Sequence, residues 1–147
     1  MECASKGKFF VDFAHTDDAL RNVLTAAREF TGGKLWVIFG AGGDRDKSKR
    51  PRMGKAAGEL ADKIVITSDN PRSEDPEAII ADIRSGVPAG CDCRIEPDRR
   101  KALEFARSHA AAGDVVIVAG KGHEDYQEIN GVKYLFSDRQ ILKESGV

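Results

Sequence analysis

Leu35-Trp36-Val37-Ile38-Phe39 runs without a polar break into Gly40-Ala41-Gly42-Gly43. An apolar run that short, with no alternation, reads as a strand covered on both faces, and such strands belong to parallel sheets flanked by helices. Working outward, Phe9-Phe10-Val11-Asp12-Phe13 predicts an earlier strand. Thr16 is placed to N-cap a helix whose first turn holds Asp17 and Asp18, and Leu20, Val23, Leu24 and Ala27 recur at helical spacing. Gly32-Gly33 is expected to end that helix. Downstream, Pro51 opens a helix to about Leu60, and a strand is expected over Lys63 to Thr67. Asp75-Pro76 caps a helix with Ile79, Ile80 and Ile83 on its inner face, and Cys93 to Glu96 is a short strand. Asp98 caps a helix through Ala102, Leu103, Phe105 and Ala106, and Asp114 to Ala119 is the most apolar strand.

The rhythm of strand and helix predicts an α/β fold, a mostly parallel doubly wound sheet with helices on both faces. The end of the chain differs. Gln127 to Phe136 carries Asn130-Gly131 between two alternating arms, a strong signal for a C-terminal β-hairpin. Ser137 with Gln140 offers a capping box for a last helix. No repeat or linker divides the chain, so residues 1–147 read as one domain.

The composition supports that reading: 147 residues, 41% hydrophobic and 32% charged, with 15 glycines. Disordered and fibrous classes are excluded. A net charge of -1 supplies no global field toward nucleic acid or an anionic membrane, so neither is an expected partner. No apolar run approaches the ~20 residues that span a bilayer, and Met1 to Phe10 lacks the order of a secretory signal, which makes a cytoplasmic location the expectation. Of the three cysteines, Cys3 stands alone and Cys91 and Cys93 lack a second half-site for zinc, so free thiols are expected.

Ligands of doubly wound sheets sit beyond the carboxyl ends of the strands, which directs attention to four loops. In the glycine-rich loop, the residue before Lys47-Ser48 is Asp46 rather than Gly, and Arg45 stands where a third dinucleotide-motif glycine would fall. Neither phosphate template is met. The loop is either a permissive turn or, given Arg45, Lys47, Lys49 and Arg50, a place that an anion or carboxylate visits. Asp69-Asn70-Pro71-Arg72 is either a plain turn or a site for a zwitterion, with Arg72 as the fork for a carboxylate and Asp69 or Asn70 accepting from an ammonium. Gly120-Lys121-Gly122-His123-Glu124 brings backbone close to a ligand, with Glu124 as acceptor and Lys121 as cation, or else is a strand exit with solvated charges. His15 and His123 fall on this rim and His109 on a helix surface. No HxxxH or HxH spacing supports a metal, and none is expected.

Together Val11 to Leu20, Phe39 to Pro51, Asp69 to Arg72 and Gly120 to Gln127 resemble the C-terminal domain of the Mur ligases, in the family's order and over nearly the whole chain. Phe13 stands where the family usually has Tyr, and Asp17 where it has Pro. The resemblance implies a Rossmann-like fold and a part in an amide-bond ligase of peptidoglycan synthesis. In that chemistry ATP phosphorylates a substrate carboxylate, an amine attacks the acyl phosphate, and phosphate leaves. Asn-Pro-Arg resembles the motif that recognises meso-diaminopimelate, the nucleotide-linked substrate then being UDP-N-acetylmuramoyl-L-alanyl-D-glutamate. By resemblance Arg72 and Arg45 hold the amino acid's carboxylate, Asp69, Asn70, Gly120 and Glu124 serve its amino end, and Pro71 belongs to the same diaminopimelate-binding motif. Asp12 and His15 lie at the nucleotide, and Lys47 near the reacting phosphate. ATP and Mg²⁺ are expected to serve the full enzyme and not to be bound by this domain alone, since the P-loop is missing and central and N-terminal domains are expected elsewhere. Two alternatives stand beside this reading: a stand-alone Rossmann-like module binding an amino acid or nucleotide, and another Mur or folylpolyglutamate-type ligase domain.

Overall fold

A computed structural model describes residues 7–44, 46–121, 126–129, 132–135 and 137–138. In chain order the elements are β1 (Lys8–Asp12), α1 (Asp17–Arg28), β2 (Leu35–Phe39), α2 (Lys49–Leu60), β3 (Lys63–Ile66), α3 (Pro76–Arg84), β4 (Asp92–Ile95), α4 (Arg99–His109), β5 (Val115–Ala119), β6 (Tyr126–Ile129) and β7 (Val132–Leu135). The first five strands make one sheet in the order β1-β5-β2-β3-β4, and every pairing in it is parallel. β6 and β7 pair antiparallel with Ile129 opposite Val132, as the hairpin reading requires. Asn130-Gly131 and the expected last helix beyond Asp138 lie outside the described residues.

The sheet is covered on both sides because its crossovers reverse direction. From β1 to β4 the chain advances across the sheet, then returns to insert β5 between β1 and β2. With crossovers of one hand, that return places α4 on the opposite face from α1, α2 and α3. Side-chain alternation along β2 follows suit. Leu35, Val37 and Phe39 pack with Leu20, Leu24, Met53 and Ile83, while Trp36 and Ile38 pack with Ala102, Leu103 and Ala106 of α4. The β2 and β5 side chains are all buried, as a doubly covered strand demands, whereas the edge strands keep Phe10 and Ile95 exposed.

The expected caps are present. The side chains of Thr16, Asp75 and Asp98 accept from the backbone N–H groups of Ala19, Glu77 and Lys101. Two expectations are corrected. α1 ends at Arg28, before Gly32-Gly33, and Gly33 serves close approach instead: a Cβ there would collide with Gly113 and the Asp114 carboxylate. α2 begins two residues ahead of Pro51, which is tolerated because a first-turn N–H has no intrahelical partner to lose. Asp114 ties the opposite end of the sheet, accepting from the N–H groups of Lys34 (2.9 Å) and Ala111 (2.9 Å) and from Trp36 Nε1 (3.0 Å). Burial pushes its carboxyl up, but these donors outweigh burial and hold it below the usual range. Cys91 and Cys93 are free thiols, and burial pushes the Cys93 thiol up.

Candidate functional site

Because the five strands run parallel, their carboxyl ends share one rim, and a cleft of about 440 Å³ opens there. All four loops singled out in the sequence line it. Phe13 and His15 follow β1, Ala41, Gly42, Asp46, Lys49, Arg50 and Met53 supply the wall after β2, Asp69, Asn70 and Arg72 follow β3, and Gly120 follows β5. The loops after β2 and β3 lie in contact because two positions lack side chains. A Cβ at Gly40 would overlap the Thr67 carbonyl and one at Gly43 the Pro71 carbonyl, and Gly43 N–H donates to Asn70 O at 2.7 Å.

Arg72 has a left-handed backbone, φ 54°, a costly conformation for arginine. It is held there by its own N–H donating to Glu128 O at 2.9 Å. Its Nη1 donates to Gly43 O at 3.0 Å and its Nε lies 3.4 Å from Glu128 Oε1. Among the described residues these contacts engage Nε and Nη1, so Nη2 is the edge that can meet a carboxylate in the cleft.

Asn70 and Asp69 divide the acceptor role expected of them. Asn70 is 3% exposed, and its Oδ1 accepts from Lys121 Nζ at 2.9 Å and from Glu128 N–H at 2.9 Å. Both partners can only donate, so the amide orientation is forced and both oxygen lone pairs are spent within the protein. Asp69, 7% exposed, has Oδ1 3.3 Å from Lys121 Nζ without hydrogen-bond geometry, and Gly120 brings its backbone against the same carboxylate. Asp69 is therefore an acid of the cleft wall whose Oδ1 has no hydrogen-bond partner among the described residues. Lys121, expected as a ligand-facing or solvated cation, is fully buried, donating also to Tyr126 O at 2.8 Å.

Of the basic residues after β2, Arg50 is paired within the protein. Arg50 is 1% exposed, with Nη2 and Nη1 donating to Glu74 (2.7 and 3.0 Å), Nη1 to Asp82 (3.0 Å) and Nη2 to Gly42 O (3.1 Å). The carboxylates it needs are the protein's own, not a visitor's. The Arg50 hydrogen bonds hold the Glu74 carboxyl down at about 2. Glu74 also accepts from Asp44 N–H at 2.8 Å; Asp44 itself has φ 55° and accepts from Ser73 Oγ, which holds its carboxyl below the usual range. Lys47 is exposed, with Nζ 3.8 Å from Glu74 Oε2, and stands outside the cleft lining that Asp46, Lys49 and Arg50 form.

Asp12 Oδ2 accepts from Ala14 N–H at 2.8 Å, folding the chain so that Phe13 and His15 meet edge to face at 5.1 Å beside the cleft. His109 is exposed and stacks on Phe105 at 4.1 Å, away from the site as expected. Arg45 and Glu124 lie outside the described residues. Sequence reasoning missed Glu74, Asp82 and the pair Arg99–Asp138. Arg99, 1% exposed, donates from Nε and Nη2 to Asp138 (2.8 and 2.7 Å), from Nη1 to Ser68 O (3.0 Å) and from Nη2 to Ala119 O (3.1 Å), bracing the exits of β3 and β5 behind the cleft. The one signal for Glu74 was an acid directly after Ser73 in a loop otherwise read for its arginine. Among the described residues no group of His, Cys, Asp and Glu could hold a metal, and no helix is long and apolar enough to cross a membrane.

A doubly wound parallel sheet whose carboxyl rim opens a cleft lined by Asp69 and Arg72 defines an α/β domain of the kind that takes ligands beyond its strand ends. The chain belongs to the Mur ligase family: residues 1–122 match the family described as Mur ligase, glutamate ligase domain. It is 55% identical over 141 residues to the UDP-N-acetylmuramoyl-L-alanyl-D-glutamate–2,6-diaminopimelate ligase of Aquifex aeolicus (strain VF5), covering 96% of this chain and 29% of that protein. To the ligase of the same name from Parasynechococcus marenigrum (strain WH8102) it is 52% identical over 144 residues, 98% of this chain and 29% of that one. A solved structure of a ligase so named superposes with a TM-score of 0.90 at 48% identity, covering 93% of this chain and 28% of the other. The chain thus spans under a third of the length of these relatives.

Proposed function

We propose that this chain is the C-terminal, amino-acid-binding domain of an ATP-dependent ligase that joins meso-diaminopimelate to UDP-N-acetylmuramoyl-L-alanyl-D-glutamate in peptidoglycan synthesis. The observation that carries the reading is Arg72, held by Gly43 and Glu128 at the cleft wall with one edge of its fork uncommitted among the described residues. A diamino diacid has a zwitterion at its far end. Arg72, with Arg45, receives that carboxylate, while Asp69, Gly120 and Glu124 receive its ammonium. Asn70 and Pro71 shape the loop between them. Anchoring the far end leaves the other amine to project toward the activated carboxylate, a gain in orientation.

The other roles are part of the same proposal: Lys47 near the reacting phosphate, Asp12 and His15 at the nucleotide. The residues of this chain do not fit a triphosphate or Mg²⁺ unaided. It has no GxxxxGK[ST] motif, and among the described residues no acidic cluster suits a metal. ATP and Mg²⁺ are therefore assigned to a central domain of a longer polypeptide, and the nucleotide-sugar substrate to an N-terminal one.

The test is Arg72→Ala in the full-length ligase. A charged contact whose partner is left buried costs about 2–5 kcal/mol on truncation, so the KM for diaminopimelate is expected to rise by at least that lower figure while the KM for ATP stays near wild type. An unchanged KM for diaminopimelate would refute the role of Arg72 and with it this reading.

A further inference from the structure

We propose that Lys121 is a positioning residue: its buried ammonium holds the Asp69–Arg72 loop and β6 in one arrangement and thereby sets the affinity for the amino acid. The inference rests on the reading of the cleft as an amino-acid site, and deepens it.

Lysine is almost never fully buried unless paired, since a desolvated ammonium costs more than an apolar side chain of the same length. Lys121 is fully buried and is not part of the cleft lining, so it does not act by touching the ligand. Among the described residues it joins two segments, adding a buried charge to the hydrogen bonds that already run between them. Its Nζ donates to Asn70 Oδ1 at 2.9 Å on the loop after β3 and to Tyr126 O at 2.8 Å on β6, with Asp69 Oδ1 at 3.3 Å. The second lone pair of Asn70 Oδ1 takes Glu128 N–H at 2.9 Å, and Glu128 O takes Arg72 N–H at 2.9 Å. A continuous chain of hydrogen bonds thus runs from Lys121 through Asn70 and Glu128 to Arg72. That arginine sits at φ 54°, a backbone state that persists only where its surroundings over-determine it. The Asp69 carboxylate is meanwhile kept beside the cation rather than turned outward. One ammonium therefore fixes the relative position of the acceptor for the ligand's amino end and the fork for its carboxylate.

The test uses full-length Lys121→Ala, assayed with and without propylammonium, which replaces the deleted atoms, and with 1-propanol as the uncharged match. The KM for meso-diaminopimelate is expected to rise by about tenfold or more and the KM for ATP by less than about twofold, in the range that residues without ligand contact modulate binding. Propylammonium should restore the former and propanol should not. If this variant does not fold, Lys121→Met keeps the buried stem, removes the charge and is expected to show the same split in KM. An unchanged diaminopimelate KM, a parallel rise in both KM values, or equal rescue by propanol would overturn the proposal. Wild-type enzyme is offered diaminopimelate and lysine first. Should it take lysine, the substrate reading fails by itself, and the KM split for lysine then decides the role of Lys121.

Discussion

Glu74 shows how one acid can settle the cost of two arginine-bearing loops. Arg50 is buried against it, Asp44 hangs a left-handed turn from it, and Lys47 hovers at 3.8 Å. From sequence the basic loop is legible as a place needing negative charge, but its partner lies 24 positions away in another loop. Only the topology brings the two together, so the sequence reading gave the need to a ligand. The consequence is a pH dependence of known sign. The folded carboxyl sits at about 2 against an ordinary 4.5, because Arg50 donates to its charged form. A depressed carboxyl stabilises the fold fully above its unfolded value and loses that contribution as pH falls through the folded one. Denaturant midpoints of wild type and Glu74→Gln should therefore differ most above pH 4.5 and converge as the pH approaches about 2. A gap that stays constant across that window would mean that the Glu74 charge is not what binds the loops.

Elements were legible to different degrees for reasons that can be named. Caps are local chemistry, so Thr16, Asp75 and Asp98 could be read from neighbours within three residues, and the buried strands from apolar runs. Gly32-Gly33 misled because a glycine that ends a helix and one that lets two backbones meet look alike in sequence; Gly33 against Gly113 is the second kind. The N-terminus of α4 poses a sharper problem, since Arg99 sits where the helix dipole disfavours a cation. Asp138 offsets this with a two-pronged contact, both side chains being fully buried from solvent, and so fastens the segment after the hairpin to the ends of β3 and β5. Breaking a buried pair from one side costs about 3–5 kcal/mol. Asp138→Ala is expected to lower unfolding stability by that order in denaturant titration. A loss below about 1 kcal/mol, typical of exposed pairs, would show that the segment is fastened by something else.

At the scale of the molecule, the sequence revealed which loops form the site because a parallel sheet sends every carboxyl end to the same rim. It did not reveal which side chains in those loops face inward. Lys121, Asn70 Oδ1 and Arg50 have their charge or lone pairs spent on protein groups, while Arg72 and Asp69 line the cleft. Division of labour of this kind depends on distances of 3 Å across segments some 50 residues apart, which no local pattern encodes. The central strands β2 and β5 are nevertheless buried on both faces, so the chain is expected to fold in isolation. Calorimetric titration of the 147-residue chain is expected to give saturable binding of meso-diaminopimelate and at least about tenfold weaker binding of lysine, which lacks the far carboxylate that Arg72 would receive. The same chain, given ATP, UDP-N-acetylmuramoyl-L-alanyl-D-glutamate and diaminopimelate, should release no phosphate above background, since its sequence has no GxxxxGK[ST] motif. Equal binding of the two amino acids would remove Arg72 as the source of discrimination. Turnover by the isolated chain would show instead that the cleft holds the activating chemistry as well as the incoming amine.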